Sequence, residues 1–255
     1  MGVGCCMKVY HTRKLIIQND ASQHSLEDLR LYYSSNKSFM HQKVKIIYKQ
    51  ISKFGSYNSD TINLNFVSLQ KNRAEFLLHL FPFFQNLKVL KLWKSQLGSE
   101  GMKYISTDLG NLENLEVLSL EENNIGPDGC MYLSKALKKM KVLKELWLHI
   151  NEIGTIGAFC IADVISKLSN LEKLGLDENS MENKGAFKIV SSIKNLKNLK
   201  MLGFGNNLLT EDACLNIVVM LRELNLEKFV LSGNDVNEET HSKAISLMPR
   251  TLIIF

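Results

Sequence analysis

Large apolar residues recur along the chain at a nearly constant interval. One group consists of Leu87, Leu90, Leu92 and Leu97, and equivalent groups begin at residues 115, 143, 171, 199 and 226. The interval between successive groups is constant, except that the last group follows one position sooner. A fixed period of this size predicts a repeat architecture in which each unit buries its apolar face against its neighbours.

The first half of each unit has the pattern of a short strand. Alternate residues such as Leu90 and Leu92 point to one side of a strand, so parallel pairing of the units places them in one apolar spine. An asparagine follows at a fixed place, and we expect it to hydrogen-bond the backbone of the adjacent unit where the strand bends away. The predicted role of these residues is therefore structural: Asn123, Asn151, Asn179, Asn207 and Asn234.

The second half of each unit has the pattern of a helix. Gly98, Gly126 and Gly154 are predicted to end the strand and begin the helix, with a nearby Ser, Thr or Asp as its cap. Apolar residues four apart then face the core, as in the pairs Leu133 and Leu137, Ile161 and Ile165, and Ile189 and Ile193. Ahead of the repeats, a spacing of three and four predicts a further amphipathic helix with Met40, Val44, Ile47, Ile51 and Phe54 on its apolar face.

Weaker copies of the pattern extend the repeat in both directions. One contains Ile62, Leu64, Val67 and Leu69, and the end of the chain, Leu252 to Phe255, reads as a last short strand. An earlier copy consists of Leu26, Leu29, Leu31 and Ser34. The sequence thus predicts an arm over residues 1–25 and a repeat domain over residues 26–255, with about eight units, a terminal strand and nine parallel strands.

The consensus L-x-x-L-x-L-x-x-N-x-L resembles the leucine-rich repeat. A unit of this length, with a full helix that opens on Gly-x-x-Gly as at Gly98 and Gly126, resembles the ribonuclease-inhibitor-like subclass. The resemblance implies an α/β solenoid, a horseshoe with parallel strands on the concave face and helices on the convex face. It implies a fold and not a function.

In such a solenoid, strand side chains that point away from the spine line the concave face. Both tryptophans of the chain are placed there, and exposed tryptophan is a typical anchor of protein interfaces. Acidic residues are expected around the rings as a polar rim. Gly175, Gly203 and Gly205 are expected to leave bare backbone beside them. The predicted partner-binding residues are Trp93, Glu121, Glu145, Trp147, His149 and Asp177.

Composition narrows the function classes. The 255 residues are 45% hydrophobic and 22% charged, with a net charge of +5 that comes from lysine far more than from arginine. Because bidentate phosphate and base recognition favours arginine, no nucleic-acid partner is predicted. Five cysteines and no long apolar segment fit a cytoplasmic chain, and lysines such as Lys138, Lys139 and Lys141 are expected at a solvated edge.

The sequence carries little sign of chemistry. It contains no phosphate-binding loop, zinc-ligand spacing or nucleophile elbow, so we predict a non-enzymatic chain with no cofactor, metal or small-molecule substrate. Cys130 and Cys214 occupy small-residue core positions. One enzymatic alternative is a resemblance in repeat type to the Ran GTPase-activating protein, which implies a functional arginine in an early strand-to-helix loop. Arg73 is the arginine in that place.

The amino terminus resembles that of dually acylated proteins. It reads Met-Gly-Val-Gly-Cys-Cys, so Gly2 is a candidate for myristoylation and Cys5 and Cys6 are candidates for palmitoylation. Two acyl chains hold a protein on a membrane far better than one. The predicted location is therefore cytoplasmic, with attachment to a membrane surface through this arm.

The function predicted from these features is that of an adaptor or scaffold that binds a protein partner on its concave face. A second hypothesis is a structural subunit of a cytoskeletal or axonemal assembly, such as that of a cilium, because the apolar residues Leu252 to Phe255 need cover at the end of a solenoid. The third is GTPase activation through Arg73.

Overall fold

The computed structural model describes residues 21–70 and 72–255. Its sheet has eight strands, all parallel and paired in sequence order. Every strand is three residues long, and its middle residue points into the core in all but the last. The strands are β1 (Thr61–Asn63), β2 (Val89–Lys91), β3 (Val117–Ser119), β4 (Glu145–Trp147), β5 (Lys173–Gly175), β6 (Met201–Gly203), β7 (Lys228–Val230) and β8 (Leu252–Ile254).

Nine α-helices lie in the described part of the chain. Two precede the sheet, α1 (Ala21–Asn36) and α2 (Gln42–Phe54). The others follow the strands one by one, the first of them continued by a 3₁₀ turn at Phe81–Phe83: α3 (Asn72–Leu80), α4 (Gly98–Leu109), α5 (Gly126–Leu137), α6 (Gly154–Ile165), α7 (Glu182–Ile193), α8 (Glu211–Leu221) and α9 (Glu238–Leu247). The alternation confirms the α/β leucine-rich-repeat solenoid predicted from the sequence.

The core is one continuous stack between the sheet and the helices. Leu90, Leu118 and Leu146 from successive strands are fully buried, as are the helix residues Leu133 and Leu137 that face them. Each unit therefore buries its apolar side against the next, as the fixed period of the sequence requires.

A ladder of buried asparagines joins the units. Asn123 Oδ1 accepts hydrogen bonds from the backbone N–H groups of Ser95 and Leu97, each at 3.1 Å. Its Nδ2 donates to the carbonyl of Leu92 at 2.7 Å and to that of Leu120 at 2.9 Å. The same pattern recurs at Asn151, Asn179 and Asn207, so the predicted structural role of these residues is confirmed.

The helices start by a different device from the one predicted. Gly98, Gly126 and Gly154 do begin α4, α5 and α6, with φ near +63°, which glycine adopts without strain. No side chain caps these three helices. Instead the Gly98 N–H donates to the carbonyl of Asn123 in the next unit at 2.8 Å. Among the helices α4 to α9, side-chain caps are found at Thr210 on α8 and Asn237 on α9.

The earliest predicted unit is wrong. The segment with Leu26, Leu29, Leu31 and Ser34 lies in α1 and adds no strand, so the described sheet has eight strands and not nine. Leu29 is buried, whereas Leu31, which a strand would point inward, is 63% exposed. Helices α1 and α2, which precede β1 in the chain and are called the cap below, pack together with the Tyr33 and Tyr48 rings stacked at 3.6 Å. The helix also begins at Ala21, across the predicted boundary at residue 25.

The buried cysteines offer a test of this core. Burial raises the pKa of the Cys214 thiol to about 11 and raises that of Cys130 still further, while Cys160 is half-exposed. Because the thiolate is the reactive form, iodoacetamide at about pH 8 is expected to label Cys160 in the folded chain and to spare Cys130 and Cys214. Peptide mass spectrometry reports each site, and all three should react in guanidinium. Equal rates at Cys130 and Cys160 in the folded chain would contradict this packing.

Candidate protein-binding face

The concave face consists of the outward strand side chains and of the residues two places after each strand. Register pairs bring the first column together as Val89, Val117, Glu145, Lys173, Met201 and Lys228, and the second as Lys91, Ser119, Trp147, Gly175, Gly203 and Val230. Both columns follow the constant interval of the apolar groups in the sequence, with the step to the last group one position shorter. The third column, which includes Trp93 and Glu121, continues the same order, since the Lys94 N–H donates to the Glu121 carbonyl at 2.9 Å.

Trp93 is held at the edge of this face and remains 37% exposed. Its indole Nε1 donates to Glu122 Oε1 at 2.9 Å, and its ring lies 4.8 Å from that of Phe66. Lys94 also pairs with Glu122, at 3.1 Å. The indole N–H, and after it the Lys94 ammonium, keep the pKa of Glu122 below its ordinary value. The ring is thus oriented before any partner arrives, which lowers the entropy lost on binding.

Trp147 is more deeply seated than Trp93. Its Nε1 donates to Glu145 Oε2 at 3.0 Å, and Glu145 Oε1 accepts from Lys173 Nζ at 2.9 Å. The same carboxylate raises the pKa of Lys173. The indole lies over β5, so that a Cβ added at Gly175 would come within 2.7 Å of Trp147 Cε3. One edge of Trp147 is therefore packed over β5, and the side chain as a whole is half-buried.

His149 and Asp177 form a pair beside Trp147. His149 Nδ1 lies 2.6 Å from Asp177 Oδ2, and its ring is 5.5 Å from that of Trp147. Asp177 Oδ1 accepts a hydrogen bond from the Gly205 N–H at 2.7 Å. Both side chains thus lie across the sheet toward the next strand.

The bare glycine patch predicted from the sequence is wrong. Gly175, Gly203 and Gly205 are all buried. A Cβ at Gly175 would overlap the His149 ring, and one at Gly203 would overlap Asp177 Oδ2. The missing side chains make room for the leaning side chains of Trp147, His149 and Asp177, and do not expose backbone.

Four of the predicted residues surround one depression. It has a volume of about 410 Å³ and lies between Trp93 and Trp147, with Glu121 and Glu145 in its lining. Ser119 Oγ donates to Glu121 Oε2 at the floor. His149 and Asp177 are placed beyond Trp147 and do not line it. The rest of the lining comes from residues outside the predicted partner-binding set: Asn65, Val89, Lys91, Val117 and Ser119.

Two residues that the sequence analysis did not single out, Asn65 and Phe66, support Trp93. Asn65 Oδ1 accepts a hydrogen bond from the Trp93 backbone N–H at 3.0 Å, and Phe66 packs on the indole. Asn65 lies one full period before Trp93, so extending the third column into the weak first repeat would have found it. Phe66, with φ of +64°, carried no such signal in the repeat pattern.

The remaining candidates lie elsewhere. Arg73 is in the first turn of α3 and not in the loop before it, and its exposed side chain borders a second cavity of about 530 Å³ between α1, α2 and α3. Gly2, Cys5 and Cys6 lie outside the described residues. Within the described ranges, no three His, Cys, Asp or Glu side chains group to hold a metal ion. No helix there has the length and apolar character needed to cross a bilayer.

Comparison with known proteins finds the same repeat. A family described as Leucine Rich repeat matches residues 111–134, which span β3 and most of α5. The chain is similar to actin-binding site 2 of leiomodin-1, with 20% identity over 59% of this chain and 87% of that chain and a TM-score of 0.49. No curated protein matches it.

Two further solved structures are similar at lower TM-scores. A leucine-rich-repeat protein of Leptospira interrogans has 20% identity over 76% of this chain and 60% of that chain, with a TM-score of 0.42. A chain of the Rad7 and Elc1 complex in yeast has 13% identity over 97% of this chain and 78% of that chain, with a TM-score of 0.38.

Proposed function

We propose that this chain is a non-enzymatic adaptor or scaffold that binds a protein partner on its concave face. The observation that carries the proposal is the depression of about 410 Å³ between Trp93 and Trp147. Both rings are oriented by hydrogen bonds to glutamates, so the anchors are in place before binding. Preformed aromatic anchors beside charged groups are what a protein interface requires.

The shape of this face favours a protein over a metabolite. Eight strands at about 4.8 Å give a ladder of roughly 34 Å, far longer than a small ligand. Val89, Val117 and the two tryptophans supply apolar groups to the lining of the depression, and Lys91, Glu121 and Glu145 supply charge. A surface of this composition can bury apolar side chains of a partner and still keep its polar rim hydrated.

The repeat subclass, the acylation and the location have separate support. The regular period of the sequence and the twelve-residue helices from α4 to α7 support the ribonuclease-inhibitor-like subclass. Acylation at Gly2, Cys5 and Cys6 stays a proposal from the sequence, as does a cytoplasmic location at a membrane surface. Intact-mass analysis of the native protein would reject acylation if Gly2 proved unmodified.

Two alternatives have a single supporting observation each. Leu252 on β8 is 62% exposed, which supports burial of that strand in a larger cytoskeletal assembly. The exposed Arg73 beside its cavity supports GTPase activation, and unchanged GTP hydrolysis rates with Arg73→Ala would reject that role. Neither feature combines preformed anchors with a recess, so the concave face remains the preferred site.

Site-specific photocrosslinking tests where the partner binds. With benzoylphenylalanine in place of Lys91, which lines the depression, we expect a covalent adduct with a second protein when native cells are irradiated. The matched control carries the same group in place of Ile156, which is 68% exposed on α6. The adduct should form from position 91 and not from position 156. An adduct from position 156 alone would place the partner on the convex face and contradict the proposal.

A further inference from the structure

The net charge of the chain comes from one end of it. Residues 1–60 contain nine Lys or Arg and four Asp or Glu, whereas residues 61–255 contain twenty-two of each. The whole net charge of +5 thus belongs to the first of these two segments. Between Asp28 and Asp60 there is no acidic residue, and the basic ones are Arg30, Lys37, Lys43, Lys45, Lys49 and Lys53.

The repeats neutralise their own charge. The residue before each of the strands β1 to β7 alternates in sign along the sheet, in the order Asp60, Lys88, Glu116, Lys144, Glu172, Lys200 and Glu227. Glu116 lies 2.6 Å from Lys144 Nζ and 3.7 Å from Lys88 Nζ, and the hydrogen bond from Lys144 lowers the pKa of Glu116. Glu172 pairs with Lys200 at 3.3 Å. These charges are matched within the sheet and leave little net field.

The lysines of the α1–α2 cap lack such partners. Lys37, Lys45, Lys49 and Lys53 form no ion pair with any other residue that the structure describes. Lys43 Nζ donates only to the carbonyl of Asn65, at 3.1 Å. The positive charge of these lysines is therefore not offset by an ion pair with any acidic side chain that the structure describes.

Large apolar side chains project among these lysines. Phe39 is 69% exposed, Ile46 is 50% exposed and Phe54 is 64% exposed. Helix α2 buries its other side through Val44, Ile47 and Ile51. On the outward side, Lys43 and Lys49 flank Ile46 three positions away on either side, and Lys53 follows one turn further. On its outward side α2 therefore carries the apolar Ile46 among lysines, and at its end the Phe54 ring lies 4.9 Å from Lys53 Nζ.

We propose that this cap surface, formed by Phe39, Ile46, Phe54, Lys37, Lys43, Lys49 and Lys53, binds the surface of an anionic phospholipid bilayer. The apolar side chains enter the boundary between headgroups and acyl chains, and the ammonium groups face the lipid phosphates. Bulky exposed apolar side chains interspersed with lysines are the combination that binds at such an interface. The surface acts through the folded domain, without any acyl group and independently of the concave face.

Vesicle cosedimentation tests the proposal. The protein is the full chain with Gly2→Ala, Cys5→Ser and Cys6→Ser, which excludes acylation. We expect it to sediment with vesicles of phosphatidylcholine and phosphatidylserine and to stay in solution with phosphatidylcholine alone. Lys49→Glu with Lys53→Glu should weaken binding at least about tenfold, because each lysine near an anionic surface contributes to attraction. Phe39→Ser with Phe54→Ser should also weaken it.

The matched control is Lys138→Glu with Lys141→Glu, the same charge change at exposed lysines of the return between α5 and β4. That variant should bind as the parent does, within about twofold, since these residues lie outside the cap. The altered side chains are exposed, and unchanged circular dichroism will show that each variant is folded. Equal loss in the two charge variants, no loss with the phenylalanine variant, or binding to RNA or an acidic peptide in place of vesicles would overturn the proposal.

Discussion

Replacing Asn151 with alanine is expected to lower the free energy of unfolding by about 3 kcal/mol, because buried backbone groups lose their partners. Asn151 Oδ1 accepts from the N–H groups of Asn123 at 3.0 Å and Ile125 at 3.3 Å. Its Nδ2 donates to the carbonyls of Leu120 and Leu148. An alanine leaves the two N–H groups unpaired in a site that excludes water. Guanidinium unfolding followed by circular dichroism measures the change.

Asn198→Ala is the control for the same chemical change at the surface. Asn198 is exposed, and its Nδ2 makes one bond, to the Ser169 carbonyl at 2.9 Å. We expect a loss below about 1 kcal/mol, since water can replace an exposed partner. If the two variants lost equal stability, the asparagine ladder would not be what joins the units.

The period of the sequence predicts most of the fold because each unit packs equivalent side chains in the same way. Leu118 and Asn123 recur in register, so their burial and hydrogen bonds follow from any well-formed copy. The α1 segment departs from this logic. Its copy of the apolar pattern lies further from the next copy than the regular period allows. In addition, Leu26, Leu29 and Tyr33 have the three-and-four spacing of a helix.

The sequence predicts which residues form the concave face, but not how their side chains are arranged on it. Register alone shows that Trp147 and Gly175 are neighbours on adjacent strands. It does not show that the indole lies across the glycine, because that depends on a rotamer fixed by Glu145 and His149. Phe66 escaped notice for a related reason, since it comes from a turn with positive φ that no repeat position specifies.

Trp93→Ala is expected to weaken partner binding by about 30-fold, which corresponds to about 2 kcal/mol for an aromatic anchor. The ring is 37% exposed, oriented by Glu122 and placed at the wall of the depression. Circular dichroism will show that the variant is folded, since the ring lies at the surface and its removal leaves the buried core in place. Isothermal titration with the partner identified by crosslinking measures the effect.

The ratio of dissociation constants between Trp93→Ala and Phe159→Ala tests the central claim most directly. Phe159 on α6 is 41% exposed, close to the exposure of Trp93, but lies on the opposite side of the sheet. Binding through the concave face predicts a weakening of about 30-fold for Trp93→Ala and less than about twofold for Phe159→Ala. Equal affinity of both variants and the parent chain would contradict it.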